Sequence, residues 1–98
     1  MWQDSVFRWI EWNIDHIAAH GVTPEEAESV VRNARPPYPK EIGDDRFNVV
    51  GRGSGGRLIQ VGFIIDPDDT VFVIHARPLT QREKARERRH DRRRGRKK

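Results

Sequence analysis

Val71-Phe72-Val73-Ile74-His75-Ala76-Arg77-Pro78-Leu79-Thr80-Gln81-Arg82-Glu83-Lys84 carries an apolar strand straight into a charged helix. Successive side chains of a strand point to opposite faces, so regular alternation places Val71, Val73, His75 and Arg77 on one face. Phe72, Ile74 and Ala76 then take the other. An imidazole and a guanidinium would leave the same rigid strand end two residues apart. Thr80 suits the N-cap of the following helix and Glu83 its third position, a capping box that predicts a helix over 81–89.

Working outward, apolar and β-branched residues predict strands over 46–51, 57–65 and 70–76. Gly53-Ser54-Gly55-Gly56 joins the first two, and Asp66-Pro67-Asp68-Asp69 joins the last two, with Pro67 suited to the second position of a turn. A short edge strand over 38–42 is a further candidate. Thr23-Pro24-Glu25-Glu26 opens a helix with threonine as cap, proline at the first position and glutamate at the third. That helix stops before Pro36-Pro37, because Arg35 precedes a proline. An earlier helix over 14–19, capped by Asn13, ends at His20-Gly21, and residues 6–12 are expected to be irregular or extended. The fold class is α+β: two N-terminal helices, an antiparallel sheet of three to four strands, and a C-terminal helix.

Composition narrows the function classes. The chain of 98 residues has no cysteine, which excludes a disulfide framework and a thiolate zinc site and fits a reducing cytoplasm. Its opening residues lack the basic and apolar regions of a signal peptide, and no apolar run is long enough to span a membrane. Residues 82–98 hold 11 Lys/Arg against 3 Asp/Glu, leaving 8 against 12 in residues 1–81. An acidic body therefore carries a basic extension. Such an arm suits nucleic-acid phosphate or an acidic partner surface, or serves only as a solvated tail.

Metal-free scission of RNA needs a base for the 2′-hydroxyl, a cation for the crowded phosphate, and a proton for the departing oxygen. Arginine suits the second task, since its planar fork pairs with two phosphate oxygens. Arg46, Asn48, Val50 and Arg52 alternate onto one strand face. If His75 and Arg77 share it, the sheet bears a cationic patch with one titratable base. His75 can equally cap the sheet edge, and Arg77 can equally pair with Glu83 or Glu87 to dock the last helix. His16 and His20 have the spacing of two zinc ligands, but no third ligand accompanies them, so packing and capping explain them better. Gly51-Arg52-Gly53-Ser54-Gly55-Gly56 lacks the Gly-Lys-Ser/Thr ending of a phosphate loop, and the Asp66–Asp69 cluster reads as turn chemistry. No metal or cofactor is expected. Trp2, Trp9 and Trp12 read as core or partner-contact residues.

A resemblance joins these segments. Asn13-Ile14-Asp15-His16-Ile17-Ala18-Ala19-His20-Gly21-Val22-Thr23-Pro24-Glu25-Glu26 is similar to the opening of BrnT-type toxins. Arg46-Phe47-Asn48-Val49-Val50-Gly51-Arg52, followed by Gly56-Arg57-Leu58, resembles their central hairpin. Val73-Ile74-His75-Ala76-Arg77-Pro78-Leu79-Thr80-Gln81-Arg82-Glu83 resembles their ending. The resemblance covers residues 9–90, leaving residues 1–8 as an N-terminal extension and 91–98 as a basic tail expected to be disordered. It implies a compact fold akin to the RelE/ParE superfamily and a metal-independent endoribonuclease, the toxin of a type II toxin–antitoxin pair. The implied partners are an RNA substrate and a ribbon-helix-helix antitoxin, with operator DNA reached only through the antitoxin complex and a dimer or heterotetramer as the assembly. Carried over, the functional positions are Arg46, Arg52 or Arg57, Arg77 and Glu83, with Arg82 added as a phosphate contact. Position 75 departs from the family's usual serine or threonine, so His75 joins Arg77 and Glu83 as a catalytic candidate. The family's basic residue earlier on the last strand and its tyrosine in the last helix correspond here to Phe72 or Val73 and to Glu87 or Arg88.

Overall fold

The computed structural model describes residues 2–96, and side chains as far as Arg89. Two helices, α1 (Glu11–Ala18) and α2 (Pro24–Arg32), precede four strands, β1 (Lys40–Gly43), β2 (Arg46–Arg52), β3 (Leu58–Ile65) and β4 (Val71–Pro78). A last helix, α3 (Gln81–Arg96), follows. The strands form one antiparallel sheet in the order β1-β2-β3-β4. The expected edge strand exists as β1, and the α+β class stands.

Alternation in β3 decides which face is covered. Ile59, Val61 and Phe63 point inward and are buried, and their cross-strand partners Val49, Ala76 and Val73 join them. Ile17 of α1 and Val30 and Val31 of α2 close this core from the helical side. A 3-10 turn at Trp2–Asp4 sets the Trp2 ring edge-on to Phe47 and Phe63, so residues before the first helix also pack against the core. Phe7 bridges Val71 in parallel fashion, Arg8 pairs with Asp66, and the outer edge of β4 is partly covered as a result.

Strand β4 does not alternate regularly. Gly62 pairs with His75 while the next residue, Phe63, pairs with Val73, so Ile74 is an extra residue in the ladder. This β-bulge corrects the face expected from sequence. Val71, Val73 and Ala76 face the core, whereas Phe72, His75 and Arg77 face away from the helices. The strand needs the insertion because both Val73 and Ala76, three residues apart, are buried.

Helix α1 begins earlier than expected. Ile10 is its N-cap, and Asn13 sits at the third helical position rather than at the cap. Asn13 is fully buried, and its side chain accepts from the Ile10 N–H (2.8 Å) while donating to the carbonyls of Arg8 (3.1 Å) and Val73 (3.2 Å). One amide therefore fixes the helix start to β4. The second helix starts as expected, with the Thr23 hydroxyl accepting from Glu26 N–H. The β2–β3 and β3–β4 hairpins close the same way: Gly56 N–H donates to the Gly53 carbonyl, Asp69 N–H donates to the Asp66 carbonyl, and the last turn residue takes positive φ. Helix α3 passes residue 89 and continues to Arg96, while Lys97 and Lys98 of the expected tail lie outside the described residues.

Replacing Asn13 by alanine strands two carbonyls and one N–H. We expect Asn13→Ala to lower stability in chemical denaturation by about 2–3 kcal/mol; a loss below about 0.5 kcal/mol would show that this clamp contributes little.

Candidate functional site on the open face of the sheet

The face away from α2 is ordered by strand register. One row across it is Lys40, Asn48, Gly62 and His75, from β1 to β4. A second row, towards α3, is Val50, Gln60 and Arg77, and a third, on the other side, is Arg46, Ile64 and Phe72. Neighbouring strands lie about 4.8 Å apart. His75 and Arg77 thus share their face with Arg46, Asn48, Val50 and Arg52, the condition on which a cationic patch depended.

Gly62 gives His75 its position. A Cβ built there would fall on the His75 imidazole, Nε2 foremost, so the ring lies across β3 in space that only glycine leaves open. The ring is half-buried and has no hydrogen bond to another described residue. Burial first, and then the positive charges of Arg77, His16 and His20, push its pKa below the ordinary histidine value. A histidine so placed is neutral near pH 7 and able to take a proton.

The arginines divide. Arg77 is held by Glu83 through two bonds, Nη1 to Oε1 at 2.8 Å and Nη2 to Oε2 at 2.7 Å. Glu83 also accepts from Thr80 N–H (2.8 Å) while its own N–H donates to the Thr80 hydroxyl, so the full capping box forms. Bonding to Arg77, assisted by Thr80, pulls the Glu83 carboxyl from 4.5 to about 2. Arg57 lies on the helical side, bound to Glu26 (2.9 Å) and to the Gly21 carbonyl (2.5 Å), away from the row of His75. Arg52 donates to the Gly56 carbonyl in its own hairpin (2.7 Å). Arg46 and Arg82 are exposed and have no carboxylate partner among the described residues.

Helix α3 folds back over the Gln60 end of this face. Between them lies a cleft of about 210 Å³ whose walls include Lys40, Asn48, Gln60, Glu83, Arg86 and Glu87. A wider one of about 470 Å³ reaches Arg35, Arg52 and Arg88. Tyr38 and Glu87 line both, joined by a 2.7 Å bond from the phenol to the carboxylate. Sequence reasoning passed over Lys40, Gln60, Tyr38 and Gly62. Only Gly62 carried a signal, as a lone glycine inside an apolar strand. Among the described residues no cluster of three or more His, Asp or Glu can hold a metal ion, and no helix is long and apolar enough to cross a membrane. His16 lies instead against Trp12, ring on ring.

Compared with known proteins, the chain matches no family model, no curated protein and no solved structure.

Two predictions test the geometry. Gly62→Ala should cost about 1–3 kcal/mol with His75 present and much less in a His75→Ala background; equal costs in both backgrounds would mean that the imidazole does not lie over β3. Because the folded Glu83 carboxyl titrates below its unfolded value, its stabilisation holds above pH 4.5 and is lost as pH falls towards 2. The denaturation midpoint of Glu83→Gln should therefore change less than that of wild type across this window, and parallel profiles would contradict the assignment.

Proposed function

We propose that the protein is a BrnT-like toxin that cleaves RNA without a metal ion, with the open face of the sheet as its substrate surface. The motif resemblance supplies the reaction class. The observation that carries the reading is the neutral imidazole of His75 lying over Gly62, in line with Asn48 and Lys40 and beside Arg77.

In this reading RNA lies across the sheet with the scissile phosphate above the Asn48–Gly62–His75 row. His75 takes the proton of the 2′-hydroxyl, whose oxygen attacks the adjacent phosphorus. The P–O5′ bond then breaks, the departing 5′-oxygen takes a proton from water, and a 2′,3′-cyclic phosphate remains. Arg77 faces the charge that builds on the phosphate; Glu83 engages its two terminal nitrogens and orients the plane. Lys40 and Arg46 contact flanking phosphates, and Arg86 lines the adjoining cleft. Arg57 takes no part, because its ion pair joins α2 to the central hairpin. The implied ribbon-helix-helix antitoxin would neutralise the toxin by covering this face.

A second reading follows from the same ion pair. With Arg77 already bound to a carboxylate, the module grips RNA or an antitoxin and does not cut. One assay separates the two. Purified protein in EDTA should convert single-stranded RNA to fragments ending in 2′,3′-cyclic phosphate, and His75→Ala and Arg77→Ala should each lower the rate by about 100-fold or more. Binding without cleavage would establish the second reading, and undiminished cleavage by His75→Ala would overturn the first.

A further inference from the structure

Beyond β4, on the same side of the sheet as His75, three rings lie nearly parallel. Trp12 meets His16 at 5.0 Å between centroids and 11° between planes, and meets Phe72 at 6.1 Å and 15°. The Arg8 guanidinium lies 4.1 Å from the Phe72 centroid. Layered rings also occur in the core, where Phe47 lies over the fully buried Phe63, so exposure and not stacking sets the Trp12 group apart. Trp12 is 52% exposed. The two neighbouring rings hold the indole in place, yet half of its surface remains in water.

Helical periodicity sets this surface apart from the aliphatic residues exposed nearby. Around α1, Trp12 and His16 lie on one flank of the buried Asn13 and Ile17, while Ile10 and Ile14 lie on the other. The aromatic flank adjoins the open face at Phe72, three positions before His75 on β4. A planar aromatic surface therefore continues, beyond β4, the row of Arg46, Ile64 and Phe72, which neighbours the row of the imidazole. Arg8 adds no free charge to it, being paired with Asp66 at 2.9 Å.

We propose that Trp12, with His16 and Phe72, forms a stacking subsite for a nucleobase next to the bound phosphate. This inference rests on the RNA-cleaving reading and names where a base is held. An aromatic face accepts any base, because every base has a π-face. The subsite therefore contributes affinity with little sequence preference, and a strand crossing from β1 to β4 delivers a base to it after the phosphate passes His75.

The test uses the full chain and a fluorescent short oligouridine with 2′-O-methyl groups, which binds but cannot be cut, read by anisotropy. Trp12→Ala should weaken binding about 10-fold or more, Trp12→Phe should stay within about 3-fold of wild type, and Trp12→Leu should behave as the alanine variant. An oligomer carrying abasic sites should bind wild type weakly and lose nothing further with Trp12→Ala. If the leucine variant binds as wild type does, apolar contact suffices and the subsite is overturned. If the alanine variant keeps its RNA affinity, whether or not it loses self-association on a sizing column, Trp12 is not a base platform, and cleavage of unmodified RNA by wild type still upholds the function. A wild-type protein that neither binds nor cuts RNA would remove the functional reading and the subsite with it. Trp12 is exposed, so its replacement should leave the far-ultraviolet spectrum unchanged.

Discussion

One extra residue in β4 governs the open face. Val71, Val73 and Ala76 must all turn inward to fill the core against Phe63 and Val61, yet regular alternation cannot bury both Val73 and Ala76. The bulge at Ile74 resolves the conflict by shifting the pleat once. Its consequence falls on the next residues. His75 and Arg77 are turned away from the helices and onto the face that already carries Arg46, Asn48 and Lys40. Bulges re-aim side chains at a small cost in ladder hydrogen bonds, and here the re-aimed side chain is the titratable one. Gly62 completes the arrangement by leaving its place on the sheet surface to the imidazole.

The acidic body assigns its cations unevenly. Asp66 holds Arg8, Glu26 holds Arg57 beneath the central hairpin, and Glu83 holds Arg77 at the start of α3. The first two pairs join segments far apart in the chain, and the third braces β4 against the helix that follows it. Lys40, Arg46 and Arg86 have no carboxylate partner among the described residues, and Lys40 stands 5.3 Å from the Tyr38 ring centre. Lys40 and Arg46 thus stay open on the same face as His75, on β1 and β2, while Arg57 on the helical side is consumed by the fold. Arg77 is intermediate: its pair with Glu83 docks α3 and also fixes the guanidinium plane beside the imidazole.

Much of the fold was legible because its signals are local. Thr23-Pro24 and Thr80 with Glu83 announce helix starts through hydrogen bonds within four residues, and the two hairpin turns follow from glycine and proline chemistry. The errors came from contacts made at long range. Asn13 resembles a cap, but its partners include Val73, sixty residues away, and that contact lets α1 start earlier. Regular alternation misplaced the face of His75, because the bulge answers to burial by α1 and β3 and has no signature in β4 itself. The same limit applies to the site. Arg57 and Arg46 look alike in sequence, and only the position of Glu26 separates a structural arginine from one open to solvent. Lys40 and Gln60 join the candidate site only through cross-strand register.

The proposed cleavage requires His75 to be a neutral ring on the open face of the sheet. Proton NMR of its imidazole, assigned by comparison with His75→Ala and titrated with and without 2′-O-methyl RNA, addresses this directly. The expected result is a pKa below the usual histidine value in the free protein, and a rise together with a change of chemical shift when RNA binds. An ordinary titration unmoved by saturating RNA would contradict it.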